Sequence, residues 1–217
     1  MNNISRKTMD LVQLALFSAI IVMLAMVPGL GYIPLGVINA TTIHIPVIVG
    51  AVLLGPKKGA ILGAVFGTTS VINATINPSL TSIIFSPVIS ASNGGALSAV
   101  KSIIVCYVPR ILIGVVAYYV FVLFKKVFKK LKSGVILALG VAGVCASMTN
   151  TLLVMNLIYL FFSNEYAAAR GLTVDTLYGA ILAIIGTCGI PEAIVAAIIT
   201  IGVCRVFFKS RILSTEK

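Results

Sequence analysis

One apolar segment near the middle of the chain carries an arginine, and this combination constrains the fold more than any other feature. The run from Ala99 to Phe124 is long and apolar enough to cross a bilayer as a helix, and Arg110 lies near its middle. A guanidinium in hydrocarbon costs several kcal/mol, so Arg110 must face protein or water and find a partner. Pro109 precedes it, removes a backbone donor and predicts a kink. The rest of the chain must provide the surroundings of this arginine.

The composition supports a membrane location for the whole chain. Of the 217 residues, 59% are hydrophobic and 10% are charged, whereas a soluble domain carries about 25% charged residues. The length accommodates about six spans of ~20 residues with short loops. The sequence therefore predicts one all-α integral membrane domain over residues 1–217. The net charge of +11 does not indicate a nucleic-acid partner, because the basic residues flank apolar segments in contact with membrane lipid.

The apolar runs and the basic residues together predict a topology. Six helices are predicted at Met9–Val27, Ile43–Leu54, Ala60–Ile76, Ala99–Phe124, Val135–Phe162 and Asp175–Val203. Loops are predicted at Gly29–Thr42, Ser79–Ser98, Lys125–Gly134 and Ser163–Val174. With the N-terminus inside, 13 of the 16 basic residues fall on the cytoplasmic side. The pattern therefore predicts a multi-pass protein of a bacterial-type cell membrane, with six spans and both termini in the cytoplasm.

A second charge, Glu192, lies within the last predicted span. At 1.5 Å per residue, Arg110 and Glu192 both lie roughly 20 Å above the inner basic border. Equal depth predicts an Arg110–Glu192 ion pair, since an unpaired buried charge is costly. Each residue follows a proline, so we expect both helices to be locally broken there. The pair would fix helix packing, bind a ligand or relay protons, and the sequence leaves these roles open.

Polar side chains gather at the outer ends of several predicted helices. Thr69, Asn73 and Asn77 follow each other at four-residue intervals, and Thr149, Asn150 and Asn156 lie in the outer half of the fifth helix. Such side chains either join helices or bind a polar ligand from outside, and their common depth favours a ligand cavity. The resulting candidate substrate-binding residues are Arg110, Asn73, Asn77, Asn150, Asn156, Tyr178, Glu192 and Lys101.

Sequence motifs of common enzyme classes are absent. The chain has no phosphate-binding loop for ATP and no HExxH pattern. Its four cysteines lie in apolar spans without the spacing of a metal site. We therefore predict neither enzymatic activity nor a metal or other cofactor. Small residues on the first helix, Ala15, Ser18 and Ala19, form a smooth strip that would contact either a neighbouring helix or another subunit.

Several short segments carry a family resemblance that covers nearly the whole chain. They are Gly31-Tyr-Ile-Pro-Leu-Gly, Asn39-Ala, His44-Ile-Pro, Leu54-Gly-Pro-Lys-Lys-Gly59-Ala, Asn77-Pro78, Phe85-Ser-Pro87 and Val108-Pro-Arg-Ile-Leu-Ile-Gly114. With the six spans and the Ala15-x-x-x-Ala19 strip, they resemble the substrate-binding S-components of energy-coupling factor (ECF) vitamin transporters. The resemblance is closest to the group associated with pantothenate.

The resemblance implies a mechanism and further site residues. An S-component binds its vitamin in an outward cavity and associates with a transmembrane coupling subunit and two ATPase subunits. The first outer loop of the family acts as a lid, which here would be Gly29–Thr42, and it adds Tyr32 and Asn39 to the substrate-binding candidates. The family's docking surface corresponds to Ala15 and Ala19, with Ser18 beside them.

Three other functions remain open at the sequence level. The chain would serve as an S-component for another vitamin or precursor, as a self-sufficient proton-coupled carrier with Arg110 and Glu192 as its relay, or as a membrane scaffold without a ligand. The residues themselves favour a small carboxylate with hydroxyl and amide groups, because arginine, lysine and amide side chains suit such a ligand.

Overall fold

The structure is a computed structural model that describes residues 6–27, 29, 31–35 and 38–215, with side chains described for residues 8–27, 29, 31 and 41–208. Within these ranges the chain forms helices and one β-hairpin. In chain order the elements are α1 (Arg6–Met26), β1 (Tyr32–Leu35), β2 (Ile38–Thr41), α2 (His44–Leu54), α3 (Pro56–Ile76), α4 (Ser82–Phe85), α5 (Pro87–Val127), α6 (Gly134–Arg170), α7 (Val174–Ile184), a π-helical segment (Ile185–Gly189) and α8 (Ile190–Thr215).

The described helices confirm an all-α membrane protein. Five helical stretches are long and apolar enough to cross a bilayer: α1, α3, α5, α6, and α7 continued through the π-helical segment into α8. Helix α2 is apolar but has only 11 residues, or roughly 16 Å of helix, against a hydrocarbon core of ~30 Å. It is nevertheless the most enclosed helix, with eight of its residues buried. Its short length therefore reflects a central position in the bundle rather than a surface location.

Glycines bring α3 and α5 into close contact at the level of Arg110. Gly59 of α3 faces Gly114 of α5, and a Cβ atom added at Gly63 would overlap the backbone carbonyl of Arg110. Gly67, one turn further along α3, lies against the backbone of Cys106. Small residues at four-residue spacing let two membrane helices approach closely. This contact fixes the backbone of Arg110 against α3.

Two of the predicted loops are largely helical, so those predictions are wrong. The segment Ser79–Ser98 contains α4 and the start of α5, where the Ser86 hydroxyl accepts a hydrogen bond from the Ile89 N–H at 3.4 Å and proline occupies the first helical position. Such a serine cap followed by proline is a standard helix start. The predicted loop Ser163–Val174 is mostly the end of α6, which continues beyond a break at Phe162.

The predicted loop Gly29–Thr42 contains the hairpin. Strands β1 and β2 pair antiparallel, with Tyr32 opposite Thr41 and Pro34 opposite Asn39. The Thr42 N–H donates to the Gly31 carbonyl at 3.0 Å and closes the base of the hairpin next to α2. Backbone hydrogen bonds therefore join the described strands of this segment.

The two expected helix breaks have different outcomes. The break beside Glu192 is confirmed, because the π-helical segment Ile185–Gly189 directly precedes the Ile190-Pro191-Glu192 sequence. No break is found at Pro109: the backbone angles of α5 are helical there and depart from helical values at Gly95 instead, where φ is +73°. Glycine adopts this conformation without a Cβ clash, whereas the helix around Pro109 is supported by a side-chain contact described below.

Candidate functional site

A cavity opens among the helices at the end of the bundle that carries the hairpin. Its volume is about 330 Å³, within the range of small-molecule sites. Its wall includes residues of α3, α4, α5, α6, α7, the π-helical segment, α8 and the end of β2. Its polar lining residues are Thr41, Ser70, Asn73, Asn77, Ser79, Thr81, Ser82, Arg110, Asn150, Thr151, Tyr166, Arg170, Cys188 and Glu192.

Arg110 lies at the cavity wall in an unusual setting for a charged side chain. It is only 6% exposed, and its Cζ atom lies 5.4 Å from the ring centroid of Phe66 and 5.5 Å from that of Phe85. Its Nη1 donates to the Val105 carbonyl at 2.7 Å, while its Nε is buried without a hydrogen-bond partner. The two aromatic rings stabilise the positive charge by cation–π interaction, and the unpartnered Nε is a donor available to a ligand.

The predicted Arg110–Glu192 ion pair is wrong. Within the described part of the chain, the ion pair closer than 4.0 Å joins Lys58 to Asp10. Glu192 instead accepts a hydrogen bond on Oε1 from the backbone N–H of Thr41, at 2.6 Å. The depth estimate brought both charges to the same cavity, but depth alone does not fix the direction of a side chain around a helix. The hairpin provides a donor to the carboxylate, and Val105 provides an acceptor to the arginine.

The Thr41–Glu192 hydrogen bond ties the end of the hairpin to α8, and Glu192→Ala should release it. We expect faster amide hydrogen exchange across residues 38–43, because the Thr41 N–H loses a charged acceptor worth ~1.5–3 kcal/mol. Mass-spectrometric exchange on the detergent-solubilised protein measures this. Asp10→Asn is the matched control, since that carboxylate pairs with Lys58 and should leave the hairpin unchanged. Equal exchange rates across residues 38–43 in Glu192→Ala and the wild type would show that this hydrogen bond does not hold the hairpin.

Three of the predicted amide residues lie at the cavity. Asn73 and Asn77 line it from α3, and the Asn77 Nδ2 donates to the Asn73 Oδ1 at 2.8 Å. Asn150 lines it from α6, is 8% exposed and has an Oδ1 atom that is buried without a partner. An unsatisfied buried amide oxygen is costly. This oxygen therefore offers an acceptor to a ligand N–H or O–H group.

Other predicted site residues lie away from the cavity lining. The Asn156 Nδ2 donates to the carbonyl of Leu152 on its own helix. Tyr178 is 43% exposed and packs edge-on against Tyr159 with centroids 5.2 Å apart, and Lys101 is not among the lining residues. For Tyr32 and Asn39, the backbone lies on β1 and β2, while their side chains lie outside the described residues.

The predicted docking strip lies uncovered on α1. Ala15 and Ala19 are exposed and Ser18 is half-buried, whereas Phe17 and Ile21 of the same helix point into the core. A smooth surface is thus available on this face of α1. The described part of the chain leaves Ala15 and Ala19 exposed, so a separate subunit or lipid can contact this face.

The sequence reasoning missed a second arginine in the cavity lining. Arg170, at the end of α6, donates from Nη2 to the Tyr166 hydroxyl at 2.8 Å, and its Cζ lies 5.0 Å from the Tyr166 ring centroid. Its Nε is buried without a partner. Both residues line the cavity. The sequence had shown Arg170 as an external positive charge only, because this part of α6 was predicted to be a loop.

The chemistry of the lining favours an anionic ligand with hydrogen-bonding groups. Two arginines contribute buried N–H donors without partners, and an amide oxygen contributes a free acceptor. The cavity carboxylate already accepts from a backbone amide. Among the described residues, no group of three or more histidine, cysteine or acidic side chains has metal-binding geometry. The site is therefore suited to recognition by hydrogen bonds and charge.

Comparison with known proteins connects this cavity to a transporter family. The family model described as "ECF transporter, substrate-specific component" matches residues 9–204. The chain belongs to this family. It is accordingly a multi-pass membrane protein and a component of a transporter, as the resemblance in its sequence indicated.

Two curated relatives extend over almost the entire chain. The pantothenic acid transporter PanT of Lactococcus lactis subsp. cremoris is 33% identical over 212 residues, covering 94% of this chain and 96% of the relative. The pantothenate transporter PanT of Leuconostoc mesenteroides subsp. mesenteroides is 29% identical over 208 residues, covering 93% of each chain. The matches thus include every helix that lines the cavity.

Proposed function

We propose that this chain is the pantothenate-binding subunit of an ECF-type importer. It captures pantothenate from outside the cell and delivers it inward together with a transmembrane coupling subunit and two ATPase subunits. The names of both full-length relatives support the choice of ligand. Family membership supports the choice of partners.

The observation that carries the proposal is the in-plane edge of Arg110. Its Nη1 is bonded to Val105 and its Cζ lies over the rings of Phe66 and Phe85. Its Nε is buried without a partner, and we assign this N–H and the adjacent Nη2 to the ligand. Two adjacent guanidinium N–H groups match the two oxygens of a carboxylate. We therefore assign the pantothenate carboxylate to Arg110.

The remaining groups of pantothenate have suitable partners in the same cavity. Its hydroxyl and amide groups need both donors and acceptors. Asn150 and Asn73 supply them, together with the hydroxyl groups of Ser79, Thr81 and Ser82. Arg170 adds a further donor at the end of α6. The cavity volume of about 330 Å³ accommodates a ligand of this small size.

The membrane topology that fits this function has six spans with both termini in the cytoplasm. Helix α2 is the sixth span, and the hairpin that leads into it makes up for its short length. The distribution of 13 of 16 basic residues on one side supports this orientation. The cavity then opens to the outside, with the hairpin at its entrance and the predicted docking strip available to the coupling subunit.

Direct titration tests the proposed ligand. Isothermal calorimetry with purified protein should give saturable binding of pantothenate, and mass spectrometry should recover the ligand chemically unchanged, because we propose no enzymatic step. The neutral alcohol, in which a hydroxymethyl group replaces the carboxylate, should bind more weakly. Tighter binding of another vitamin from a panel would replace pantothenate as the ligand.

Uptake into cells tests the proposed mechanism of transport. Accumulation of labelled pantothenate should require co-expression of the coupling subunit and both ATPases. Uptake by this chain alone that collapses when a protonophore is added would instead establish a self-sufficient proton-coupled carrier. Expression measured by immunoblot ensures that the two arrangements are compared at equal protein levels.

A further inference from the structure

We propose that Pro109 is a positioning residue for the ligand-binding arginine, because its missing N–H leaves the Val105 carbonyl free to hold Arg110. The inference rests on the proposed function insofar as Arg110 binds the pantothenate carboxylate. It assigns to Pro109 a role distinct from kinking the helix. The three residues, Val105, Pro109 and Arg110, lie on consecutive turns of α5.

The hydrogen-bond pattern of an α-helix explains why this carbonyl is available. The N–H of residue 109 would ordinarily donate to the carbonyl of residue 105, four residues earlier. Proline has no N–H, and Val105 is fully buried. A buried carbonyl without a donor is unfavourable. Arg110 Nη1 supplies that donor at 2.7 Å.

Pro109 does not interrupt the helical backbone. In α5 the non-helical backbone angles occur at Gly95, and those at Pro109 are helical. Prolines in membrane helices persist where a neighbouring group satisfies the freed carbonyl. Here the satisfying group is the side chain of the next residue. The proline and the arginine thus form one local unit.

Three contacts together fix the orientation of the guanidinium. The Phe66 and Phe85 rings, with centroids 5.4 and 5.5 Å from Cζ, restrict the position of the group. Rotation of the group is restricted when Nη1 binds the Val105 carbonyl. This last contact determines which edge of the guanidinium remains available to the ligand. An arginine fixed before binding loses less conformational entropy when the ligand arrives.

Replacing Pro109 should separate affinity from stability. In Pro109→Ala the restored N–H competes with Nη1 for the Val105 carbonyl. We expect the affinity for pantothenate to fall about tenfold, or ~1.4 kcal/mol, while the affinity for the neutral alcohol stays near that of the wild type. The melting temperature should not fall, because the helix gains a backbone hydrogen bond. A merely structural role would lower stability and would not change the preference for the carboxylate.

Three further variants test the interpretation. Pro109→Gly restores the same N–H without adding a Cβ and should show the same loss of preference, which excludes a packing effect. Pro56→Ala, at the first position of α3, is the matched control and should leave both affinities unchanged. In an Arg110→Met background, Pro109→Ala should have no further effect on the binding of pantothenate. Wild-type carboxylate preference in Pro109→Ala would overturn the inference.

A measurement without ligand distinguishes failure of this inference from failure of the proposed function. Nuclear magnetic resonance of labelled arginine reports rotation of the guanidinium about its Nε–Cζ bond. We expect this rotation to be slow for Arg110 in the wild type and faster in Pro109→Ala. Unchanged rotation would overturn the positioning role whichever ligand binds. Faster rotation with no pantothenate binding in the wild type would support the positioning role and refute the proposed ligand.

Discussion

Replacing Arg110 with methionine should reduce pantothenate affinity by about 100-fold, since removing one partner of a buried, hydrogen-bonded charge pair costs 2–5 kcal/mol or more. Methionine fills a similar volume between Phe66 and Phe85 but offers no donor to a carboxylate. Calorimetric titration of the purified variant measures the loss. The neutral alcohol should lose little affinity, because it lacks the negative charge that Arg110 binds.

The same substitution should leave the ligand-free protein at least as stable as the wild type. Arg110 is buried with one protein hydrogen bond and an unpartnered Nε, and replacing such a charge by an apolar side chain is often neutral or stabilising. A melting temperature equal to or above that of the wild type is the expected result. Loss of binding without loss of stability identifies a residue that is retained for its ligand.

Arg110→Lys tests whether a positive charge alone is sufficient for binding. Lysine keeps the positive charge but not the planar fork or its contacts with two aromatic rings. We expect an affinity between those of the wild type and Arg110→Met. If Arg110→Met bound pantothenate within threefold of the wild type, the carboxylate would bind elsewhere in the cavity, and Arg170 would be the next residue to test.

The sequence predicted the cavity arginine and missed its partners, for a physical reason. The cost of a charge in hydrocarbon required Arg110 to face a polar environment, and the structure places it at a cavity wall. Its acceptor was signalled by the Pro109-Arg110 dipeptide, because a proline always frees the carbonyl four residues earlier. The expectation of a broken helix hid that signal. A side chain can satisfy the freed carbonyl while the backbone angles stay helical.

The partner of Glu192 had no comparable local signal. Thr41 is 151 residues away in the chain and contributes a backbone N–H, which every residue except proline possesses. Periodicity predicts which face of a helix a residue occupies, but not which distant loop will cover it. Long-range contacts of backbone groups therefore lie beyond sequence reasoning of this kind.

The errors at helix ends also explain the missed site residues. Ser79–Ser98 is rich in small polar residues and was predicted as a loop, although Ser86-Pro87 carries a helix-start signal. Arg170 was likewise assigned to a loop, but it lies in the last turn of α6. Helices that continue past the apolar run present polar side chains at the hairpin end of the bundle. That extension is what encloses the cavity.

Bulky substitutions on the exposed strip of α1 should abolish uptake while sparing binding. Ala15 and Ala19 are exposed on a smooth face, and membrane helices that associate closely use small residues at their interface. A tryptophan at either position would hold a coupling subunit away from α1. We expect Ala15→Trp and Ala19→Trp to reduce uptake of labelled pantothenate to near background in cells that express the complete transporter.

Binding and assembly must be measured separately for this prediction to be decisive. The strip and the cavity lie on different parts of the molecule, so calorimetry on either purified variant should give wild-type affinity. Co-purification of the coupling subunit should fall in step with uptake. Ile198→Trp on α8, an exposed apolar position outside the strip, is the matched control and should retain both uptake and co-purification.

Normal uptake in Ala15→Trp and Ala19→Trp would show that the docking surface is not on this face of α1. Loss of pantothenate binding in these variants would show that the substitutions act on the fold. Because the substrate cavity and the exposed strip occupy separate faces of one chain, these results can distinguish capture of the ligand from its delivery.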